Sequence, residues 1–313
     1  MVCQNNNIMS RSVILMLLTV FIGFGTVAIV HGQMYRWVDS NGQLHFSNSP
    51  QDIPAENRNK NNEYTPDTLS IAISGENKDS VDVHTDIRDP TLSENSISIP
   101  YTAREGFASR VIIDVNFNGQ VTVPMMVDTG SPGLVISNTL AYQLNLFDDE
   151  GGRLMVIISG IGGRKVATKT IIDNLTIGGI TEKFIPAHIV SGMSSGHYSG
   201  LIGMDVLSSY TITIDPIQHR LVANLIPSAQ NQPAGRNRSW WMANFREFGF
   251  YSEYWKQQEE LIGKSGSPYA RLAGSEQKKV KAFILQQKAK ADELYNQLER
   301  HARFNSVPRH WRR

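Results

Sequence analysis

Cysteine is almost absent from this chain, since Cys3 is the only one in 313 residues. One cysteine excludes an intramolecular disulfide framework and any zinc site that needs several thiolates. An excess of either charge is also absent, because 30 Lys and Arg stand against 29 Asp and Glu. What is present is a hydrophobic share of 41%, which suffices for a folded core and excludes wholesale disorder. The length suggests about two domains.

Charged residues are missing from Val13–Val30, an apolar run that follows Arg11. This layout is typical of a secretory signal, and a cut after Gly32 would place Val30 and Gly32 at the small-residue positions. With about 18 residues the run also reaches membrane-spanning length, so a retained anchor is the second interpretation and a buried soluble helix the third. We expect residues 1–32 to form a signal peptide or membrane anchor, which predicts export.

Residues 33–50 carry a hairpin signal. Asn41-Gly42 tolerates the positive φ of a tight turn, and it lies between two short apolar and aromatic runs that contain Tyr35, Trp37, Val38, Leu44 and Phe46. A hairpin this small needs something to pack on. On these residues, together with Asp39 and Ser47, the segment resembles a short bacterial domain of unknown function that occurs near the N-termini of secreted proteins.

Two further regions differ in charge. Residues 51–100 carry ten acidic and four basic residues without hydrophobic periodicity, which predicts an acidic linker; a regulatory pro-segment is the alternative. Residues 229–313 carry 16 basic and 8 acidic residues, and we expect a basic, mainly helical region. An aromatic segment precedes a helix predicted over about 275–304, whose heptad-like stripe comprises Val280, Ile284, Gln287, Ala291, Leu294 and Leu298. Such a helix suits self-packing, a protein partner or anionic lipid.

Residues 101–228 have the pattern of a β-rich domain. Short β-branched runs alternate with Gly-containing turns; the runs are Val111–Phe117, Val121–Asp128, Leu154–Ile158, Thr170–Ile177, Phe184–Val190 and Tyr210–Asp215. This density of strands predicts a mainly β fold, either a closed barrel or a sandwich. One short helix interrupts the strands, with Ser137 as its N-cap and Leu140, Ala141 and Leu144 at helical spacing.

The candidate catalytic group is the carboxylate of Asp128, which opens the tripeptide Asp128-Thr129-Gly130 directly after a strand. Gly130 permits close backbone approach, and the Thr129 hydroxyl can lock the turn. The tripeptide alone is common, but two further features follow it in order. A glycine-rich hairpin tip spans Gly160, Ile161, Gly162 and Gly163, and an apolar-apolar-glycine element consists of Leu201, Ile202 and Gly203.

This order of features resembles the retropepsin-like aspartic proteases, and most closely their bacterial, envelope-located relatives, over most of residues 101–228. The resemblance implies a closed acid-protease barrel with one short helix. It also implies catalysis by the Asp128-Thr129-Gly130 motif, a flap tip at Gly160 to Gly163, and structural support of the site from Leu201, Ile202 and Gly203. The protein would be periplasmic or attached to the outer face of the bacterial inner membrane.

The mechanism that the resemblance implies uses two carboxylates that share one proton, because neighbouring like charges cannot both ionise cheaply. The ionised carboxylate takes a proton from a water that attacks the scissile carbonyl, and the protonated one stabilises the oxyanion and then protonates the leaving nitrogen. No metal, cofactor or covalent intermediate is required.

The sequence contains one Asp-Thr-Gly and no Asp-Ser-Gly, so a dyad needs Asp128 from a second copy of the chain. This predicts a homodimer with the site on its two-fold axis. We expect a polypeptide substrate, no nucleic-acid partner, and membrane contact through the N-terminal apolar segment or the basic tail. The alternative is a non-catalytic retropepsin-like dimerisation or binding module of the cell envelope.

Overall fold

The computed structural model describes residues 35–38, 44–47, 96–104, 110–147, 152–160, 163–193 and 197–313. The predicted signal segment, the Asn41-Gly42 turn and almost all of the acidic linker lie outside these residues. In the part of the chain that is described, no helix combines the length and the apolar character needed to cross a membrane.

Thirteen strands occur among the described residues, and they form two sheets. Their bounds are β1 Tyr35–Val38, β2 Leu44–Ser47, β3 Ser96–Pro100, β4 Thr102–Arg104, β5 Arg110–Phe117, β6 Val121–Val127, β7 Leu134–Ser137, β8 Leu154–Gly160, β9 Gly163–Ile177, β10 Ile180–Val190, β11 Gly200–Ile202, β12 Tyr210–Asp215 and β13 Arg220–Leu225.

Two short helices lie within the β-rich region, and two long helices follow it. Their bounds are α1 Asn138–Gln143, α2 Met204–Leu207, α3 Arg238–Leu261 and α4 Gly274–Phe304. Short 3₁₀ turns occur at Pro227–Asn231, Pro233–Gly235 and Arg309–Trp311. The predicted N-cap of α1 is confirmed, because the backbone N–H of Leu140 donates to the Ser137 hydroxyl over 3.2 Å.

The larger sheet closes into a barrel, which is one of the two arrangements that the strand pattern predicted and the one that the resemblance implied. Its order is β4-β5-β6-β11-β7-β10-β9-β8, and an additional pairing of β5 with β9 joins the sheet to itself. At this seam Phe117 lies opposite Leu175, and the backbone N–H of Asn118 donates to the Asn174 carbonyl over 3.0 Å. Asn118 has a φ of 54°, in the left-handed region that asparagine tolerates well. The fold is therefore mainly β, with a closed barrel and a helical C-terminal region.

The second sheet carries the N-terminal hairpin. Its order is β1-β2-β12-β13-β3. The predicted pairing of the two hairpin strands is present, with Tyr35 opposite Ser47. β2 in turn pairs with β12, where Phe46 lies opposite Ile212. The small hairpin thus obtains the support that it needs by extending the β12–β13 hairpin of the barrel domain.

The buried side chains form two clusters, one made by the barrel strands together with β3, β12 and β13 of the second sheet, and one between the barrel and the long helices. The barrel cluster is mostly aliphatic and is built from residues between Ile97 and Ala223. We call the other the helix-facing cluster; it joins Leu154, Val156, Ala167, Ile171 and Val190 of the barrel strands to α3, α4 and the residues after α4. The predicted stripe of α4 is buried at all six positions, so this helix packs within the chain. The predicted boundary at residue 228 stays a prediction, and a shared cluster spans it.

Candidate active site

Asp128 lies directly after β6, at the start of a tight turn. Its own backbone makes two hydrogen bonds of 3.0 Å, one from its N–H to the Ile202 carbonyl and one from the Ser131 N–H to its carbonyl. The carboxylate is oriented as well, because the backbone N–H of Gly130 donates to Asp128 Oδ1 over 3.0 Å. Asp128 and Thr129 are half-buried and Gly130 is exposed. The turn therefore holds a carboxylate in a fixed position at an accessible surface.

The element Leu201-Ile202-Gly203 supports this turn from behind. β11 lies between β6 and β7, parallel to β6 with Ile202 opposite Val127 and antiparallel to β7. Directly after it, Gly203 approaches the turn so closely that a methyl group in place of its hydrogen would lie 2.6 Å from the Ser131 carbonyl oxygen. Only glycine fits there without a shift of the backbone. Of the three residues that sequence reasoning grouped around Asp128, Ile202 and Gly203 are thus in contact with its turn, and Leu201 lies opposite Met126 on β6.

The glycine-rich hairpin is formed by β8 and β9. These strands pair antiparallel from Leu154 opposite Lys169 to Gly160 opposite Gly163. Ile161 and Gly162 lie outside the described residues. Gly163 has a φ of 87°, a conformation that L side chains rarely adopt. No heavy atom of the described residues lies within 4 Å of where a side chain would start at Gly160 or Gly163, so the end of the hairpin is uncrowded.

Comparison with known proteins agrees with this geometry. Residues 113–209 match the family described as gag-polyprotein putative aspartyl protease. This match confirms the resemblance of the segment to the retropepsin-like aspartic proteases. Residues 24–70, which include β1 and β2, match a domain of unknown function (DUF4124).

A solved structure of a retropepsin-like aspartic protease from Rickettsia conorii is similar to the chain at 21% identity, with a TM-score of 0.31. The alignment covers 42% of this chain and 90% of that one. No curated protein matches the chain significantly.

The retropepsin-like domain carries a second aspartate behind the Asp128 turn. Asp205 lies in the first turn of α2, where Gly203 is the N-cap and no side chain caps the helix. No described residue hydrogen bonds its buried Oδ1. Burial raises the pKa of Asp205 to about 6, although the positive charge of Arg236 acts in the opposite direction. Its backbone N–H donates to the Pro132 carbonyl over 3.1 Å, which ties α2 to the Asp128 turn.

Arg236 links the retropepsin-like domain to the segment that follows it. Its side chain is 2% exposed, and its guanidinium donates to the backbone carbonyl of Asp205 and forms an ion pair of 2.8 Å with Glu182 Oε2. The other oxygen of Glu182 accepts a hydrogen bond of 3.0 Å from the Tyr210 hydroxyl. A residue beyond the β strands therefore holds α2 and, through it, the back of the Asp128 turn.

Sequence reasoning found Asp128 and its support but missed the groups that join the retropepsin-like domain to the helices. These groups are Arg236 with Glu182, the ion pair of Lys169 with Glu247, and Gln287. Gln287 alone left a signal, because an amide occupies one position of an otherwise apolar helical stripe. The two ion pairs connect residues that are 54 and 78 positions apart, and such long-range pairings leave no periodic trace in a sequence.

Proposed function

We propose that the protein is an exported aspartic endopeptidase that hydrolyses peptide bonds with a dyad formed by Asp128 of two copies of the chain. The observation that carries the proposal is the turn at Asp128, in which Gly130 orients the carboxylate while Ile202 and Gly203 fix the backbone. A carboxylate held in this way at an accessible surface is preorganised for proton transfer to and from a bound water.

The homodimer follows from the chemistry of the dyad. One carboxylate cannot act as base and acid in the same step, and the chain contains one Asp-Thr-Gly. An isologous dimer would bring the two copies of Asp128 together on its axis. The Asp128 turn is open to such a partner, because Gly130 and Pro132 are exposed.

In the proposed reaction the ionised Asp128 removes a proton from water, and the water oxygen attacks the scissile carbonyl. The protonated Asp128 of the second copy donates a hydrogen bond to the developing oxyanion and later a proton to the leaving nitrogen. Thr129 and Gly130 maintain the turn, and the hairpin that ends at Gly160 and Gly163 would close over the substrate and exclude water.

The location and partners are part of the proposal. The apolar run Val13–Val30 after Arg11 supports export to the periplasm or attachment to the outer face of the inner membrane. The substrate would be an unfolded or extended polypeptide. Residues 229–313 carry more basic than acidic residues, which could add contact with anionic lipid.

The direct test replaces Asp128 with asparagine, which keeps the size of the side chain and removes its charge. Wild type should cleave an unfolded protein, and Asp128→Asn should lower kcat by about 10²–10⁴-fold, the usual contribution of a general acid or base. Asp114→Asn is the matched control, because Asp114 is exposed on β5 and should not affect cleavage.

Mixing the two proteins tests the shared dyad. If subunits exchange, equal amounts of wild type and Asp128→Asn should lower the activity per wild-type chain to about half, because mixed dimers carry one functional carboxylate. An active protein that stays monomeric in light scattering at all concentrations would exclude the shared dyad. A stable dimer without cleavage over a wide pH range would favour the non-catalytic dimerisation or binding module.

A further inference from the structure

The strongest unexplained feature outside the Asp128 turn is a buried amide. Gln287 belongs to the apolar stripe of α4 and is 1% exposed. Its side chain makes two short hydrogen bonds to backbone groups at the start of β8: Met155 N–H donates to Oε1 over 2.7 Å, and Nε2 donates to the Arg153 carbonyl over 2.6 Å. One amide thereby reproduces the donor and acceptor pattern with which a neighbouring strand would pair.

This contact lies at a sheet edge, because β8 is the last strand of the barrel sheet. The outward N–H and C=O groups of an edge strand are otherwise left to solvent or to another chain. Gln287 satisfies both groups at the base of the hairpin, and it therefore determines where β8 lies relative to α4.

The second strand of the hairpin is held by the other long helix. Lys169 on β9 is 2% exposed, and its Nζ forms an ion pair of 2.9 Å with Glu247 Oε1 on α3. The Tyr251 hydroxyl donates to the same Glu247 oxygen over 3.0 Å. Both strands of the hairpin thus have a polar contact to a helix, and the two contacts come from different helices.

Apolar packing continues from these contacts toward the end of the hairpin. Leu154 and Val156 belong to the helix-facing cluster, and Ile158, two residues before Gly160, packs against it. The end itself, at Gly160 and Gly163, has open space around it. The hairpin is therefore supported along most of its described length and uncrowded at Gly160 and Gly163.

We propose that the two C-terminal helices set the position of the flap hairpin and that Gln287 is the positioning residue for substrate binding. This inference rests on the proposed protease function. A flap must close over the substrate at a defined height and angle, and the contacts of α3 and α4 with the base of the hairpin set both. The helical region would then act on substrate binding without touching the substrate.

The test replaces Gln287 with methionine, which has a similar length and volume and cannot reproduce either hydrogen bond. Lys281→Met is the matched control, since Lys281 is an exposed residue of the same helix. Hydrogen exchange of the Met155 amide in the full chain should accelerate at least about tenfold in Gln287→Met, because its acceptor is lost. Lys281→Met should exchange as wild type does.

Kinetics provide the second measurement. In Gln287→Met the KM for a peptide should rise roughly three- to tenfold while kcat changes little, since the reacting carboxylates are unaltered. If Gln287→Met does not fold, Gln287→Glu keeps the test open. At acid pH the protonated carboxyl of this variant can accept a hydrogen bond from the Met155 N–H and donate one to the Arg153 carbonyl. Slow exchange of the Met155 amide and a low KM should therefore return at acid pH.

The outcomes separate the two proposals. A wild type without cleavage contradicts the protease, while exchange at Met155 still decides whether Gln287 holds the hairpin. Unchanged exchange in Gln287→Met overturns the positioning role. If Gln287→Met is active and its Met155 amide exchanges faster while KM is unchanged, the proposed role of Gln287 in substrate binding is overturned.

Discussion

The barrel cluster and the helix-facing cluster share some of their strands, but they take their other residues from different parts of the sequence. On β10, Ile185, Ala187 and Ile189 point into the barrel, whereas Val190 joins the helix-facing cluster. Alternation along a strand therefore supplies both cores. The barrel core closes within the β-rich region, while the outer face of β8 to β10 packs, among the described residues, mainly against α3, α4 and the residues after α4. Because this part of the sheet is buried on both faces, α3 and α4 are an integral part of the folded domain.

The two clusters also differ in polarity. The barrel cluster is an aliphatic core of the kind that tolerates many hydrophobic exchanges. The helix-facing cluster contains aromatic pairs such as Trp240 with Trp241, whose ring centroids are 4.9 Å apart. It also contains satisfied polar contacts, among them the Tyr269 hydroxyl donating to Gln258 over 2.6 Å. Directional contacts favour one arrangement of helices on the sheet, and three sets of substitutions test this contrast.

The largest effect should come from truncating one large side chain in each cluster. Leu134 in the barrel and Trp241 in the helix-facing cluster are both 0% exposed. Leu134→Ala should cost about 2–5 kcal/mol and Trp241→Ala about 3–5 kcal/mol of unfolding free energy, from lost burial and the remaining cavity. Because the clusters share strands, each variant should still unfold in one transition.

Denaturation followed by two probes checks this expectation. Four of the five tryptophans lie beyond residue 228, so their fluorescence reports mainly on the helices, whereas far-UV circular dichroism also reports on the strands. Coincident curves support one cooperative unit. If Trp241→Ala leaves a strand transition at the wild-type midpoint, the barrel folds alone and the helices are a separate unit.

A smaller effect should follow from breaking the ion pair between sheet and helix. Although burial acts to raise it, the charge of Lys169 holds the pKa of Glu247 well below its usual range. Glu247→Gln leaves the buried Lys169 uncompensated and should cost about 2 kcal/mol, less than a fully buried pair because the Glu247 side chain is 33% exposed. Chemical denaturation measures the change.

The double variant Lys169→Met/Glu247→Gln is the control for that measurement. It removes the isolated charge, and a stability closer to wild type than that of Glu247→Gln is expected. Equal stability of wild type and Glu247→Gln would mean that the pair does not hold α3 on β9.

The smallest expected effect is on the pH dependence of stability. His301 on α4 stacks on Phe184, with ring centroids 4.3 Å apart. Burial, assisted by the charge of Arg236, lowers the pKa of His301 to about 4 from its ordinary 6.5. The unfolded chain therefore binds a proton at this residue between pH 6.5 and 4 that the folded chain does not, and stability falls as the pH falls through that window. His301→Phe should remove about 1 kcal/mol of this loss, discounted because His301 is partly exposed.

Melting temperatures of wild type and His301→Phe at pH 7 and pH 4.5 measure the effect. Asp205, behind the Asp128 turn, responds with the opposite sign, because its pKa is raised to about 6 and the folded chain is the form that binds the extra proton. The comparison must therefore use the difference between the two proteins. An identical drop in melting temperature in wild type and His301→Phe would show that His301 does not contribute to the loss of stability at acid pH.

The sequence was informative wherever the signal was local. The Ser137 cap, the strands around Asp128 and the α4 stripe all follow from spacing over a few residues. The aromatic segment after Ser239 was predicted only as a segment, since aromatic residues suit strands and helices alike, and it forms most of α3. The contact of Gly203 with the Asp128 turn could be anticipated only through the family resemblance, because it depends on the parallel pairing of β6 with β11. The partner of Gln287 depends on the docking of α4, which no spacing encodes.

The pairing of β2 with β12 has a consequence for how the molecule folds. Phe46 must find Ile212 across nearly the whole β-rich region, and closing so long a loop costs entropy before any contact compensates for it. Contacts between residues far apart in sequence slow folding. During synthesis the hairpin strands emerge first and remain without their partner until β12 has been made. The five-stranded sheet is therefore expected to form late, as the step that joins the first of the described strands to the last.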